Sequence, residues 1–392
     1  MSERLNKLPR NWKWVALGDV ATLVNGRAYK KNELLDSGPV PVLRVGNFFS
    51  NRGWYYSDLE LPADKYCEKG DLLFAWSASF GPKIWDGPKV IYHYHIWKIL
   101  TSPDIDKYYL YYLLGSISAE IKSEGNGIAM IHATKGGMEK RVIPLPPLAE
   151  QQKIAAILDA ADQLRQKDQK LIEHYTVLGQ SLFLEMFGDP VSNPKAWIRT
   201  EFGCIFNSIK YGVSTPPKYS TSGIPFIRAT NIKKGSVVTK GMVYISLDES
   251  KKITKCKLSE GDLIIVRSGA NTGDCGRIPS EYVDAFGGFD MIIDIDDPYS
   301  TFYNFLLNTG AGKAILKPLT RRAGQPHLNS KQISSLSLIA PPVSLQNQFV
   351  EHLQVIETQK QQAQAALDKS ETLFNSLLQR AFKGELTQST TV

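Results

Sequence analysis

Apolar residues between Ile154 and Leu182 fall on alternating three- and four-residue steps. Ile154, Ile157, Ala161, Leu164, Leu171, Tyr175, Leu178 and Leu182 make the stripe, with Asp168 its one polar interruption. That spacing predicts a long helix with a heptad seam. A weaker stripe of Phe349, Leu353, Ile356, Ala363, Leu367, Leu373 and Leu377 predicts a second. Pro144 with Pro146-Pro147, and Pro341-Pro342, stop whatever precedes each helix, because proline lacks the amide donor and clashes with the preceding turn. Gly188 and Gly384 are placed to end them. Each helix should span about 35 residues, or about 50 Å at about 1.5 Å per residue. With one apolar stripe apiece, the two most simply pair with each other, in parallel or antiparallel.

Elsewhere the apolar pattern is that of short strands broken by Gly and Pro. Val40 to Val45, Asp71 to Trp76 and Lys89 to Leu100 are candidates, followed by Pro225 to Arg228, Asp262 to Arg267 and Met291 to Ile295. One helix is expected near Asp106 to Ile121 and another near Tyr299 to Leu316. The globular parts therefore read as mixed α/β.

The pattern occurs twice. His132 to Phe187 lines up without a gap on His327 to Phe382. Pro9-Arg10-Asn11-Trp12 returns as Pro194-Lys195-Ala196-Trp197, and Gly70-Asp71-Leu72-Leu73 as Gly261-Asp262-Leu263-Ile264. An internal pseudo-twofold implies a two-part partner. The organisation expected is a globular domain over residues 1–145, a helix over 146–188, a second domain over 189–340, a second helix over 341–386 and a tail over 387–392.

Composition changes this picture little. Hydrophobic residues at 43% and charged residues at 22% suit a soluble protein with two buried cores. No apolar run approaches the roughly 20 residues of a membrane span, and the first residues lack a signal-peptide core. Cys67, Cys204, Cys256 and Cys275 stand singly, without metal-ligand spacing, as expected of reduced thiols in a cytoplasm. The net charge of +7 matters more, because the basic excess lies in the globular parts while the helical stretches are mildly acidic. That split suits domains that meet a polyanion and helices that meet protein.

Catalytic motifs are missing. Ser268 to Gly276 has glycines but no Gly-Lys-Ser/Thr ending, so it is no P-loop. Thr215-Pro216-Pro217-Lys218-Tyr219 lacks the Asn or Asp of an amino-methyltransferase motif. The six histidines show no metal spacing.

Basic and aromatic residues instead interleave at comparable places in the two copies. Arg27, Tyr29, Lys30 and Lys31 follow Gly26; Lys210, Tyr211, Lys218 and Tyr219 flank Gly212. The Gly-Asp strand runs out at Trp76-Ser77 in one copy and Arg267-Ser268 in the other. Lys135 follows His132; Arg321, Arg322 and Gln325 precede His327. Phosphates are met by Lys and Arg, and base edges by Arg, Lys, Asn and Gln. Residues shared by both copies cannot distinguish two half-sites. Arg44 with Arg228, Asn47 with Asn231 and His132 with His327 should hold the fold or grip phosphate. An ion pair or a backbone cap suits the two arginines better than base readout. Discrimination should lie where the copies diverge: Lys30, Lys31, Trp76, Lys83 and Lys135 against Lys218, Arg267, Asn271, Arg322 and Gln325.

The order of a variable domain, Pro144-Leu145-Pro146-Pro147-Leu148-Ala149-Glu150-Gln151, a long helix, a second variable domain and a second Pro-Pro helix resembles the specificity subunit of type I restriction-modification systems. The likeness covers nearly the whole chain, although the second copy of the motif lacks the glutamate. It implies two target recognition domains, each binding one half of a split double-stranded DNA site, joined by an antiparallel coiled coil. It further implies that the helices dock two modification (adenine methyltransferase) subunits and that restriction (motor-nuclease) subunits join them. S-adenosylmethionine, ATP and Mg would sit on those partners, with no cofactor and no catalysis in this chain. A cytoplasmic, membrane-free setting follows. A competing expectation is a coiled-coil adaptor whose basic domains bind protein or RNA.

Overall fold

The computed structural model describes residues 8–50, 53–77, 80–124, 133–320 and 326–387. The chain divides into two compact units, one ending at Gln169 and resuming at Ala365, the other running from Lys170 to Gln364.

The first unit is built on a four-stranded antiparallel sheet of β1 (Ala21–Asn25), β2 (Leu72–Ala75), β3 (Gly81–Ile84) and β4 (Ile96–Thr101), in the order β1-β4-β2-β3. Side chains on a strand alternate between faces, and here both faces are buried. Leu72 and Phe74 enter one apolar core with Trp97 and Ile99, whereas Leu73 and Ala75 enter another with Ile96. This double burial explains why β2 reads as a continuous apolar run. The larger core is closed by α1 (Lys107–Glu124), which contributes Tyr109, Leu110, Leu113, Leu114 and Ile117. Asp106 caps α1, its Oδ1 accepting from the amides of Tyr108 and Tyr109, both at 2.9 Å. The smaller core is covered by a second, mixed sheet containing Val40–Leu43 and Val90–Tyr92. The run Lys89 to Leu100, expected as one strand, is interrupted at His93 to His95 and serves both sheets.

The second unit repeats the plan. β5 (Ser208–Tyr211), β6 (Leu263–Ile265), β7 (Cys275–Arg277) and β8 (Met291–Asp294) take the same order, β5-β8-β6-β7. Leu263 and Ile265 face one core, Ile264 the other. The helix expected over Tyr299 to Leu316 is two, α3 (Tyr299–Asn308) and α4 (Gly310–Thr320). Thr309 is extended and its hydroxyl accepts from Gly312 N at 3.0 Å, ending one helix and capping the next.

Two long helices, α2 (Leu148–Phe187) and α5 (Val343–Ala381), each contribute an end to each unit. In the first, Ile154, Ala155 and Leu158 of α2 share a core with Ala381 and with Phe374, Leu377 and Leu378 of α5. In the second, Phe183 and Phe187 of α2 meet Phe349 of α5 with ring centroids 5.6 and 5.5 Å apart. The start of each helix thus lies against the end of the other, which makes the pair antiparallel.

The phase of the α2 seam differs from the sequence expectation. Ile154, Ala161 and Leu182 face inward, but Ile157, Leu164, Leu171 and Leu178 are 38–49% exposed, and so is Leu373 of α5 at 47%. The inward positions alternating with Ile154 and Ala161 are Leu158, half-buried Arg165 and Ile172, and Gly179. Arg165 is tied to Asp162 and lies over the Phe374 ring at 4.9 Å. A seam with charged and small members is invisible to a search for leucines. On α5, Phe349, Leu353 and Ile356 are buried and Leu377 half-buried, as expected.

The residues common to both copies form a frame. Gln151 and Gln346 are buried, and each donates through Nε2 to the carbonyl of the proline five residues before it, Pro146 at 2.8 Å and Pro341 at 2.9 Å. Tyr109 and Tyr303 donate their hydroxyls to Pro144 O at 2.8 Å and Ile339 O at 3.0 Å. Gly188 and Gly384 take φ of +73° and +74°. A Cβ there would meet Pro194 and Pro9 respectively, so the second helix ends on the first residues as the first helix ends on Pro194.

Candidate nucleic-acid interface

The candidate residues sort by what already occupies their polar atoms. Arg27 forms a two-armed pair with Glu33 at 2.7 and 3.0 Å and lies over the Tyr29 ring. Burial raises the Tyr29 hydroxyl above the usual phenol range. Lys83 is paired with Asp86 at 3.4 Å and Lys135 with Glu139 at 3.6 Å. Exposed pairs of this kind are weak and exchange readily for a phosphate. Lys30, Lys31, Lys210, Lys218 and Tyr219 are exposed, Lys210 reaching Lys257 O at 3.4 Å.

The shared asparagines are tied into the backbone. Asn231, named as a DNA candidate, is fully buried; its Oδ1 accepts from Arg228 N, and its Nδ2 donates to Val238 O and Lys240 O. It has nothing left to offer DNA. Asn47 likewise donates to Gly53 O at 3.2 Å. Arg228 donates to Gly241 O at 2.7 Å and lies over Tyr219, while Arg44 lies over Tyr55. Gly26 and Gly212 are also framework residues: a Cβ would stand 2.4 Å from Tyr92 O in one unit and 1.6 Å from Gly288 O in the other. Ser77 is buried, Ser268 bridges to His327 through its backbone, and Asn271 is half-buried in the loop after β6. Arg321, Arg322, Gln325 and His132 lie outside the described residues.

Besides the exposed lysines, one position is reached by the same strand in each unit. Beyond β2 stands Trp76, which donates its indole N–H to Tyr94 O at 2.8 Å. Its ring stacks on Trp97 at 5.8 Å and meets the edge of His95 at 5.0 Å. Next to it His93 is held down to about 4, because burial, then His95 and Arg44, disfavour its charged form. Beyond β6 stands Arg267, its guanidinium 4.4 Å from the Tyr211 ring centroid and 4.3 Å from that of Phe289. Arg267 Nη2 lies 3.2 Å from His327 Nε2, which accepts its hydrogen. Asp290 takes the Arg267 backbone amide at 3.1 Å. Burial pushes the Asp290 carboxyl up to about 6, with Arg267 opposing. Tyr94, Phe289 and Asp290 were not singled out from the sequence. The turn preceding β4 and β8 differs in length between the copies, so alignment does not bring these residues together.

Two repeated α/β units, alike in sheet order and unlike in the residue at one strand end, make a two-part reader of nucleic acid. The family described as type I restriction modification DNA specificity domain matches residues 9–174 and 205–369, once in each copy, and the chain belongs to it. It is a DNA sequence-specificity protein of type I restriction-modification. The EcoBI specificity subunit of Escherichia coli is 22% identical over 96% of this chain and 86% of the relative. The EcoKI specificity subunit of E. coli strain K12 is 23% identical over 97% and 90%. The fold is also that of the type I S subunit from M. genitalium, with a TM-score of 0.62 at 16% identity over 96% of this chain and 97% of that one.

Proposed function

We propose that this chain supplies the target sequence to a type I restriction-modification complex without performing chemistry itself. Each globular unit binds one half of a split double-stranded DNA site. Helices α2 and α5 dock two modification subunits, which methylate adenine, and restriction subunits join them. S-adenosylmethionine, ATP and Mg are held by those partners, in the cytoplasm. The observation that carries this reading is the strand-end position: a common frame delivers Trp76 in one unit and Arg267 in the other. Two equal surfaces would read a symmetric site; unequal ones read two different half-sites. The docking role is supported by α2, whose Ile157, Leu164, Leu171 and Leu178 recur every seven residues and stay exposed. An apolar row that the chain does not cover for itself suits a protein partner. Among the described residues, no helix is long and apolar enough to cross a membrane.

Co-expression with the cognate modification subunit, followed by mapping of methylated adenines in host DNA, tests the proposal. The expected result is one motif of two unlike halves across a fixed gap of unspecified bases. An intact complex that leaves the DNA unmethylated contradicts it.

A further inference from the structure

Four of the described arginines answer to a carboxylate. Arg27 pairs with Glu33, Arg141 with Glu120, Arg165 with Asp162 and Arg277 with Asp297. Arg267, like Arg44 and Arg228, does not: among the described residues no carboxylate reaches its guanidinium, and the nearby Asp290 binds the backbone amide instead. Its Nε is buried and, like those of Arg228 and Arg277, has no partner among the described residues, while Nη2 bonds to the neutral acceptor of His327.

A guanidinium is always charged, so leaving it uncompensated is costly unless something arrives to answer it. This one is also immobilised. Both the Tyr211 and the Phe289 rings lie against its guanidinium, and Tyr211 is itself fixed by Ser330, whose amide donates to the phenol oxygen at 2.9 Å. Phe289 and Tyr211 are 43% and 40% exposed, so the clamp opens to the surface. A planar fork of donors, oriented in advance, matches the paired O6 and N7 acceptors of guanine in the major groove.

A phosphate would satisfy the charge equally well, but the repeat argues against it. Both half-sites carry the same backbone, so a phosphate grip is needed equally in both units. The same strand end in the other unit offers Trp76, whose N–H is already given to Tyr94 O. A residue that differs between the two copies serves what differs between the half-sites, which is the bases.

We infer that Arg267 reads a guanine in the half-site bound by the second unit, with Tyr211 and Phe289 as its positioning residues. This rests on the proposed function above, and the experiment separates the two. Complexes of the modification subunit with the wild-type chain, Arg267→Ala, Arg267→Lys and Phe289→Leu are expressed, and methylated adenines are mapped. Methylation rates are then measured on duplexes in which each base pair of the second half-site is changed in turn.

The wild type should require guanine at one position of that half-site, preferring it by about 10- to 100-fold. Arg267→Ala should lose the preference at that position alone and keep every requirement of the first half-site. Arg267→Lys should retain charge but not the paired contact, and so discriminate less. Phe289→Leu, a change at an exposed ring, should weaken the same preference while keeping the arginine, which guards against misfolding of the first variant. Arg267→Ala activity that falls uniformly on all duplexes with the motif unchanged overturns the inference in favour of a phosphate contact, and so does a second half-site without guanine. A wild-type complex that methylates no two-part motif overturns the underlying proposal as well.

Discussion

Gln151 and Gln346 occupy the same place in the two copies, equally buried, yet they are held unequally. Gln151 donates to Pro146 O at 2.8 Å and to Asp104 O at 2.9 Å, and its Oε1 accepts from Asp106 N at 2.8 Å. Asp106 is the residue that caps α1, so this glutamine secures the start of that helix. Gln346 keeps only the bond to Pro341 O, and its Oε1 has no partner among the described residues. Substituting methionine keeps the volume and removes only the hydrogen bonds. At about 1 kcal/mol net for each bond, with a further cost for stranding the buried Asp106 amide, Gln151→Met should destabilise its unit by about 3–4 kcal/mol. Gln346→Met loses one bond but also relieves an unpartnered oxygen, so about 1 kcal/mol or less is expected. Because the two units need not unfold together, native-state hydrogen exchange in the full chain is the suitable assay. Amides of α1 should lose protection in the first variant, and those at the start of α5 should hardly change in the second. Equal losses in the two variants would refute the argument, since burial and side-chain size are matched.

The helix phase gives a second paired test. Leu158→Ala should cost about 2–5 kcal/mol as a buried truncation, whereas Leu164→Ala should stay within about 0.5 kcal/mol; urea denaturation of the two variants decides, and the reverse order would restore the phase read from the sequence. Asp290 predicts a pH dependence. Its carboxyl titrates at about 6 when folded, above the roughly 3.9 of an unfolded chain, so the ionised form is the penalised one. Stability from this group is present below about pH 4 and lost as pH rises towards 6, staying low beyond it. Asparagine can still accept the Arg267 amide and carries no such penalty. Asp290→Asn should therefore match the wild type near pH 4 and exceed it by on the order of 3 kcal/mol at pH 7. A difference that does not change with pH, measured as urea midpoints across that range, would remove the assigned cause.

How much of this was legible in the sequence depends on whether an interaction leaves a periodic trace. The two long helices, the proline stops, the terminal glycines and the Gly-Asp strands do, and the structure has them. The seam phase was half legible. A three-then-four pattern and a four-then-three pattern share every second position, so Ile154, Ala161 and Leu182 belong to both. At the remaining positions hydrophobicity favours Ile157, Leu164, Leu171 and Leu178, while the structure fills them with Leu158, Arg165, Ile172 and Gly179. Hydrophobicity cannot show that Arg165 lies over Phe374, which follows it by more than two hundred positions. The break at Thr309 escaped for a similar reason: its apolar neighbours keep helical spacing across it, and only the hydroxyl cap on Gly312 marks the restart. Among the candidate site residues, Trp76 and Arg267 stood out in the sequence because they terminate a repeated strand. It singled out Tyr211 of β5 without linking it to Arg267, and it missed Phe289 in the turn before β8.

The frame and the divergent positions differ in what they lean on. Gln151, Gln346, Tyr109, Tyr303 and Trp197 all donate to main-chain carbonyls. A carbonyl is present whatever the side chain, and the tyrosine bond is the same whether its acceptor belongs to Pro144 or Ile339. Sequence can therefore drift around these contacts without loosening them. Arg267 leans instead on the Tyr211 and Phe289 rings, and Trp76 on Trp97 and His95. Changing a few such side chains alters what the strand end offers while every carbonyl-anchored contact stays in place. A chain whose fold is fastened to its backbone and whose surface is fastened to its side chains can acquire a new DNA address without first surviving a weakened core.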